Sequence, residues 1–153
     1  MRSGRHRLIL PGIVTLLAAS CNPFSLDESA PTLWEASLTA TLEFPLVRGS
    51  AAAVSDPRLG RTEVGILVEG LTPQSTIRWA VYRGTCAEPG SQFGPDAAYP
   101  PAAADGDGTV ETTAAMGQLL AANGRYHIAV GTVEGTPRDV ACGDLQQIDA
   151  PST

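Results

Sequence analysis

Chemistry in this chain has few side chains to work with. Its 153 residues hold three cysteines (Cys21, Cys86, Cys142), two histidines (His6, His127) and ten arginines, with no lysine. That inventory excludes most His-rich or Cys-rich metal sites. Asp105, Asp107 and Glu111 suggest a calcium loop. An EF-hand loop needs further acids, a glycine at its sixth position and a distant Glu. Here Gly106 and Gly108 fall at the second and fourth positions, so a plain turn is expected. Gly90-Ser91-Gln92-Phe93-Gly94 superficially suggests a nucleophile elbow. That motif needs glycine two residues after the serine and a helix behind it. The glycine comes one place late and no helical period follows, so Ser91 is not expected to be a nucleophile. Phosphate-loop and zinc-finger spacings are absent.

The first residues alter this inventory. Arg2, Arg5 and Arg7 precede the apolar stretch Leu8–Leu17, which Pro11 and Gly12 interrupt. The stretch is too short to span a bilayer, which takes roughly 20 apolar residues. Ala18-Ala19-Ser20 then lead into Cys21. The pattern reads as a secretory signal over residues 1–20, and it resembles the lipobox of bacterial lipoproteins. That resemblance implies lipidation of Cys21 and a bacterial cell-envelope location, periplasmic or on the outer-membrane face, with the membrane as partner through the N-terminal lipid. The alternative is an ordinary signal peptide that leaves a free thiol. Asn22 follows the lipid site, which by resemblance to enterobacterial sorting rules leans toward the outer membrane.

Cleavage before Cys21 leaves seven arginines against sixteen acids, a charge of −9, and one histidine, His127. An acidic domain without a basic patch is a poor nucleic-acid binder. Anionic headgroups would repel it, so acyl chains rather than protein surface would hold it to a membrane. Cys86 and Cys142 then remain. In an oxidising compartment two cysteines most simply pair; the alternative is two unpaired buried thiols.

The elements that position these groups read as strands. Residues 22–31 form a polar tether. Trp34, Ala36, Leu38, Ala40, Leu42 and Phe44 alternate with polar residues until Pro45, the period of a half-buried strand. Residues 49–54 could pair with it. Val64, Ile66 and Val68, then Ile77, Trp79 and Val81, then Tyr126, Ile128 and Val130 repeat the alternation. Residues 109–115 and 140–145 are further strands, and residues 117–122 could hold a short helical turn. Residues 84–104 hold four prolines and read as a long irregular connection, unusual in a compact domain without a role or a staple. About seven or eight short strands with turn signals between them predict an all-β, antiparallel β-sandwich over residues 32–146, with 147–153 a frayed tail.

One block is more specific. Trp79-Ala80-Val81-Tyr82-Arg83-Gly84-Thr85-Cys86, Gly94-Pro95-Asp96-Ala97-Ala98-Tyr99-Pro100-Pro101, Gly124-Arg125-Tyr126-His127-Ile128-Ala129-Val130-Gly131 and Val140-Ala141-Cys142-Gly143-Asp144-Leu145 together resemble a bacterial envelope family of β-sandwich domains termed CHRD-like. That family is similar in turn to copper/zinc superoxide dismutases. The resemblance covers about residues 34–145. It implies a Greek-key, superoxide dismutase-like sandwich in which Cys86 pairs with Cys142. It also implies a His-x-His pair and a third histidine at positions held here by Ala80, Tyr82 and Gly131. Alanine and glycine carry no donor atom, and a neutral phenol is a poor ligand. Copper in two redox states needs several imidazoles. Dismutation is therefore not expected, no cofactor is expected, and the site is degenerate.

Three functional expectations follow. The first is a non-catalytic, lipid-anchored structural or interaction domain. The second is a residual copper or zinc site around His127 and Tyr82. The third is an accessory subunit that docks by a sheet edge or by the 84–104 connection. Tyr82, Arg83 and His127, with Arg78, could form a ligand patch near the family's site. His127 lies on the outward parity of its strand, and its plain reading is a surface or groove histidine. No feature of the sequence specifies a protein or small-molecule partner.

Overall fold

The computed structural model describes residues 30–148 except 134, 136 and 137. Cys21, the signal segment and most of the tether thus lie outside the described residues, as do residues 149–153. The described residues form nine strands and one short 3-10 helix. They are β1 (Thr32–Ala40), β2 (Arg48–Asp56), β3 (Arg61–Glu69), β4 (Thr76–Gly84), β5 (Pro89–Gln92), the 3-10 turn Asp96–Ala98, β6 (Ala102–Ala103), β7 (Val110–Met116), β8 (Tyr126–Thr132) and β9 (Asp139–Ile148). All strand pairs are antiparallel. The neighbour order is β5-β4-β8-β9-β1-β2-β3-β7, with β6 alongside β4.

The period-two alternation explains why these segments are strands and which way they face. Trp34, Ala36 and Leu38 on β1, Val64, Ile66 and Val68 on β3, Ile77, Trp79 and Val81 on β4, and Tyr126, Ile128 and Val130 on β8 are all buried on one side of the sheet. A flat sheet could not cover that side, so the sheet curls into a half-barrel around it. Tyr126 sits at a junction of this core. Trp34 and Phe93 both meet its ring edge to face, with centroids 5.8 and 5.4 Å away. The curl brings the far strand back: the Tyr99 hydroxyl, next to β6, lies 3.0 Å from Met116 Sδ at the end of β7.

Several boundaries differ from the sequence reading. β1 ends at Ala40, not near Pro45, although the alternation of residue types continues. Thr41 turns the chain: its N–H donates to Val140 O, its hydroxyl donates to Asp139 O, and Phe44 N–H donates back to Thr41 O. Leu42 is consequently fully exposed. β9 runs on to Ile148, because β1 offers Trp34 opposite Gln147 and Leu33 opposite Ile148. Gln147 and Ile148 are thus paired rather than frayed. Residues 117–122 form no helical turn. Leu120 is buried there, its N–H donating to Ser55 Oγ at 3.0 Å.

The proline-rich connection is more ordered than its composition suggests. It contains β5, the 3-10 turn and β6, and it buries Phe93, Tyr99 and Ala104 against the core. It therefore closes one side of the half-barrel. The two short strands also bring the count to nine, above the seven or eight expected.

Candidate functional site

The outer face of β4, β8 and β9 carries the residues whose parity opposes the core. The ladder aligns them in three rows. Arg78 stands opposite Gly131, and Gly131 opposite Asp139. Ala80 stands opposite Ala129, and Ala129 opposite Cys142. Tyr82 stands opposite His127, and His127 opposite Asp144. Ala80, Tyr82 and His127 are thereby brought to one surface, with Gly131 one row away.

A turn after β4 is tied to β9 at the second and third rows. Gly84 reverses the chain at φ +87°, a left-handed backbone that favours glycine, and a side chain there would meet the Glu88 carbonyl. Thr85 and Glu88 exchange backbone hydrogen bonds across the turn, and Thr85 Oγ1 also accepts from Glu88 N–H. Two ties then fix the turn over β9. Cys86 forms a disulfide with Cys142, with Cα atoms 6.0 Å apart. Cys86 N–H donates to Asp144 Oδ1 at 2.7 Å.

The burial of His127 differs from the expectation. Its parity is outward, as read, but it is 2% exposed rather than a surface histidine. The Tyr82 ring stacks on it at 5.4 Å and 18°. His127 Nδ1 is buried and has no hydrogen-bond partner among the described residues. A desolvated, unpaired ring nitrogen costs on the order of 1–3 kcal/mol. Arg83 is placed apart from this pair. It stands opposite Tyr126, and its guanidinium lies over the Phe93 ring, 5.2 Å from the centroid.

Ala80, Tyr82 and Gly131 line a cleft of about 240 Å³ together with Arg78, Tyr99 and Asp139. The positions that the resemblance assigns to histidines thus share one hollow, but its chemistry does not suit a metal cation. A Cβ on residue 131 would lie 3.1 Å from Arg78 Nε, so the guanidinium occupies the space beside Gly131. Arg78 Nη2 is 4.0 Å from Asp139 Oδ1, an exposed and weak pair. Burial pushes the Tyr99 hydroxyl up to about 12, and the group donates to Phe93 O. It stays protonated at neutral pH and is neither a phenolate ligand nor a base.

The other sequence features resolve into local structure. Asp105 Oδ1 accepts hydrogen bonds from Asp107 N–H at 2.9 Å and Thr109 N–H at 2.8 Å. This is an Asx turn, which uses the carboxylate to hold its own backbone. Glu111 lies on β7, and Ser91 lies on the edge strand β5 with no helix behind it. Among the described residues, no group of three or more His, Cys, Asp or Glu is arranged to hold a metal ion.

Two features escaped the sequence reading. Asp144 anchors the cysteine turn, and its one available signal is its spacing, two residues after Cys142 on the same face of a strand. The second is an open trough of about 830 Å³ on the outer face across β9, β1, β2, β3 and β7. Ser37, Ser50, Ala52, Gly65, Glu35 and Glu111 are among the residues that line it. Small residues at outward parity on neighbouring strands were the readable sign.

No family model matches the chain, and no curated protein is significantly similar to it.

Proposed function

We propose that this chain is a lipid-anchored cell-envelope domain with a structural or interaction role and no catalytic activity. In this reading Cys21 carries the lipid, the tether spaces the domain from the membrane, and the domain is a Greek-key sandwich of the CHRD-like, dismutase-like type. The neighbour order supports the Greek-key assignment, because β9 returns beside β1, β7 beside β3 and β8 beside β4.

One observation carries the non-catalytic reading: a guanidinium lies beside Gly131, where the resemblance expects an imidazole. A fixed positive charge disfavours a metal cation nearby. Ala80 offers no donor, the Tyr82 ring stacks on His127, and His127 is 2% exposed. Among the described residues of this face, no side chain combines a nucleophile with an adjacent base, as covalent catalysis needs.

The experiment loads the purified, disulfide-bonded protein with copper and zinc and assays superoxide dismutation. The expected rate equals that of the free buffer ions. A rate that stays with the protein after dialysis, and is lost in His127→Ala, overturns the reading. Labelling cells with a radioactive fatty acid tests the anchor separately. Label on the parent chain and none on Cys21→Ser is expected; equal label on both contradicts it.

A further inference from the structure

The half-barrel is open at the end where β1 passes into β2, β3 into β4 and β8 into β9. A hollow of about 290 Å³ enters the core there, and Phe44, Val47, Leu71, Ile77 and Val140 are its apolar lining. Beside it the chain makes two successive turns: Phe44 N–H donates to Thr41 O, and Val47 N–H donates to Phe44 O. Leu42 and Leu46 occupy central positions of these turns, and Pro45 suits the second by its fixed φ. Phe44 and Val47 hold the corners and face the hollow, while Leu42 is fully exposed and Leu46 is 80% exposed. Gly70 also lines the hollow, and a Cβ on it would meet Leu46 O, so Leu46 stands at the rim. One exposed leucine needs no explanation, but two beside an apolar hollow mark an interaction surface.

We infer that this end is a contact between two copies of the chain, with the Leu42–Leu46 segment of each seated in the hollow of the other about a two-fold axis. An isologous contact needs one patch that carries both halves of the fit. Here knob and hole are neighbours on a single surface. An apolar cavity of about 150 Å³ accepts a benzene ring, so the hollow of about 290 Å³ admits a leucine side chain. Charge favours this end over the trough for self-association. Glu35, Glu111 and Asp144 line the trough and, among the described residues, no arginine does, so two copies would repel there. At the open end Glu43 lies 3.2 Å from Arg138, and Glu69 lies 2.7 Å from Arg48. These carboxylates are balanced before a second copy arrives. The contact depends on neither the lipid nor the metal reading, and its failure leaves both standing.

The test uses the full chain with Cys21→Ser, so that neither a lipid nor a free thiol links copies. Sedimentation velocity is recorded from about 1 µM to about 1 mM, and a reversible monomer–dimer equilibrium is expected within that range. Leu42→Asp and Leu46→Asp should each weaken the dimer about tenfold or more, since a leucine then leaves the contact. Both side chains are exposed in the single chain, so both variants keep the fold. Thr72→Arg leaves the two leucines in place and puts a guanidinium at the hollow, and it should weaken the dimer as much. Ser50→Arg, in the trough, should leave it unchanged. A chain that stays monomeric throughout, or one that sediments as an open series beyond the dimer, overturns the inference. So does a dimer indifferent to both leucine variants or to Thr72→Arg, or one lost equally in Ser50→Arg.

Discussion

Replacing Cys86 and Cys142 together by serine removes the cross-link between the turn after β4 and the middle of β9. The two residues are 56 apart in sequence. The chain-entropy relation for a loop of about 57 residues gives about 14 cal/mol/K, or roughly 4 kcal/mol at 25 °C. Packing in the folded state changes little, because Cys86 is exposed and the Cys86 N–H to Asp144 bond survives the change. Stability of a domain this size is about 5–15 kcal/mol, so the variant should fold but lose a large share of its margin. The assay is equilibrium urea unfolding followed by fluorescence of Trp34 and Trp79, both buried in the native core. The expected outcome is a loss of about 3–4 kcal/mol. A loss below about 1 kcal/mol refutes the reasoning, since it would mean that the long loop is already closed in the unfolded chain.

Other outcomes follow from the same geometry. His127→Phe keeps a ring against Tyr82 and removes the unpaired Nδ1, so its unfolding free energy should fall within about 1 kcal/mol of the parent or above it. A loss beyond about 2 kcal/mol in that variant would show that the imidazole has a partner. Gly143→Ala should lower the melting temperature through a loss of about 1–3 kcal/mol, because the new Cβ would lie 2.5 Å from Ser37 O and 3.0 Å from Leu38 Cδ2. An unchanged melting temperature would mean that β1 and β9 can separate at no cost. Tyr99 ionises near 12 when folded against an ordinary 10. Its contribution is therefore intact below pH 10 and lost as pH rises from 10 to 12, a decline of at most about 3 kcal/mol. Denaturation at pH 8 and pH 11 should show that decline in the parent, and a smaller one in Tyr99→Phe.

The core was legible where a strand keeps one face buried along its length. Val64-Gly65-Ile66-Leu67-Val68 and Ile77-Arg78-Trp79-Ala80-Val81 state their own orientation, because side chains alternate across a strand. Phe93 and Tyr99 carry no such sign. Each is a single aromatic residue in a proline-rich stretch, and its burial comes from strands elsewhere in the chain. His127 shows the same limit. Its parity was readable, but its burial comes with the Tyr82 ring stacked on it from the neighbouring strand β4, a pairing between residues far apart in sequence. The approach of Arg78 to Gly131 likewise comes from the register of β4 on β8, which no local pattern states. The overrun of β1 past Ala40 has a simpler cause: residue types kept alternating after Thr41 had already turned the backbone.

Copper titration of the disulfide-bonded protein, read by calorimetry and by the spin signal of Cu²⁺, decides whether this face holds a metal ion. The arrangement of Arg78, Ala80, Tyr82 and Gly131 predicts no saturable heat at micromolar copper and a signal identical to the buffer complex. One equivalent bound, with nitrogen hyperfine structure that disappears in His127→Ala, would contradict it.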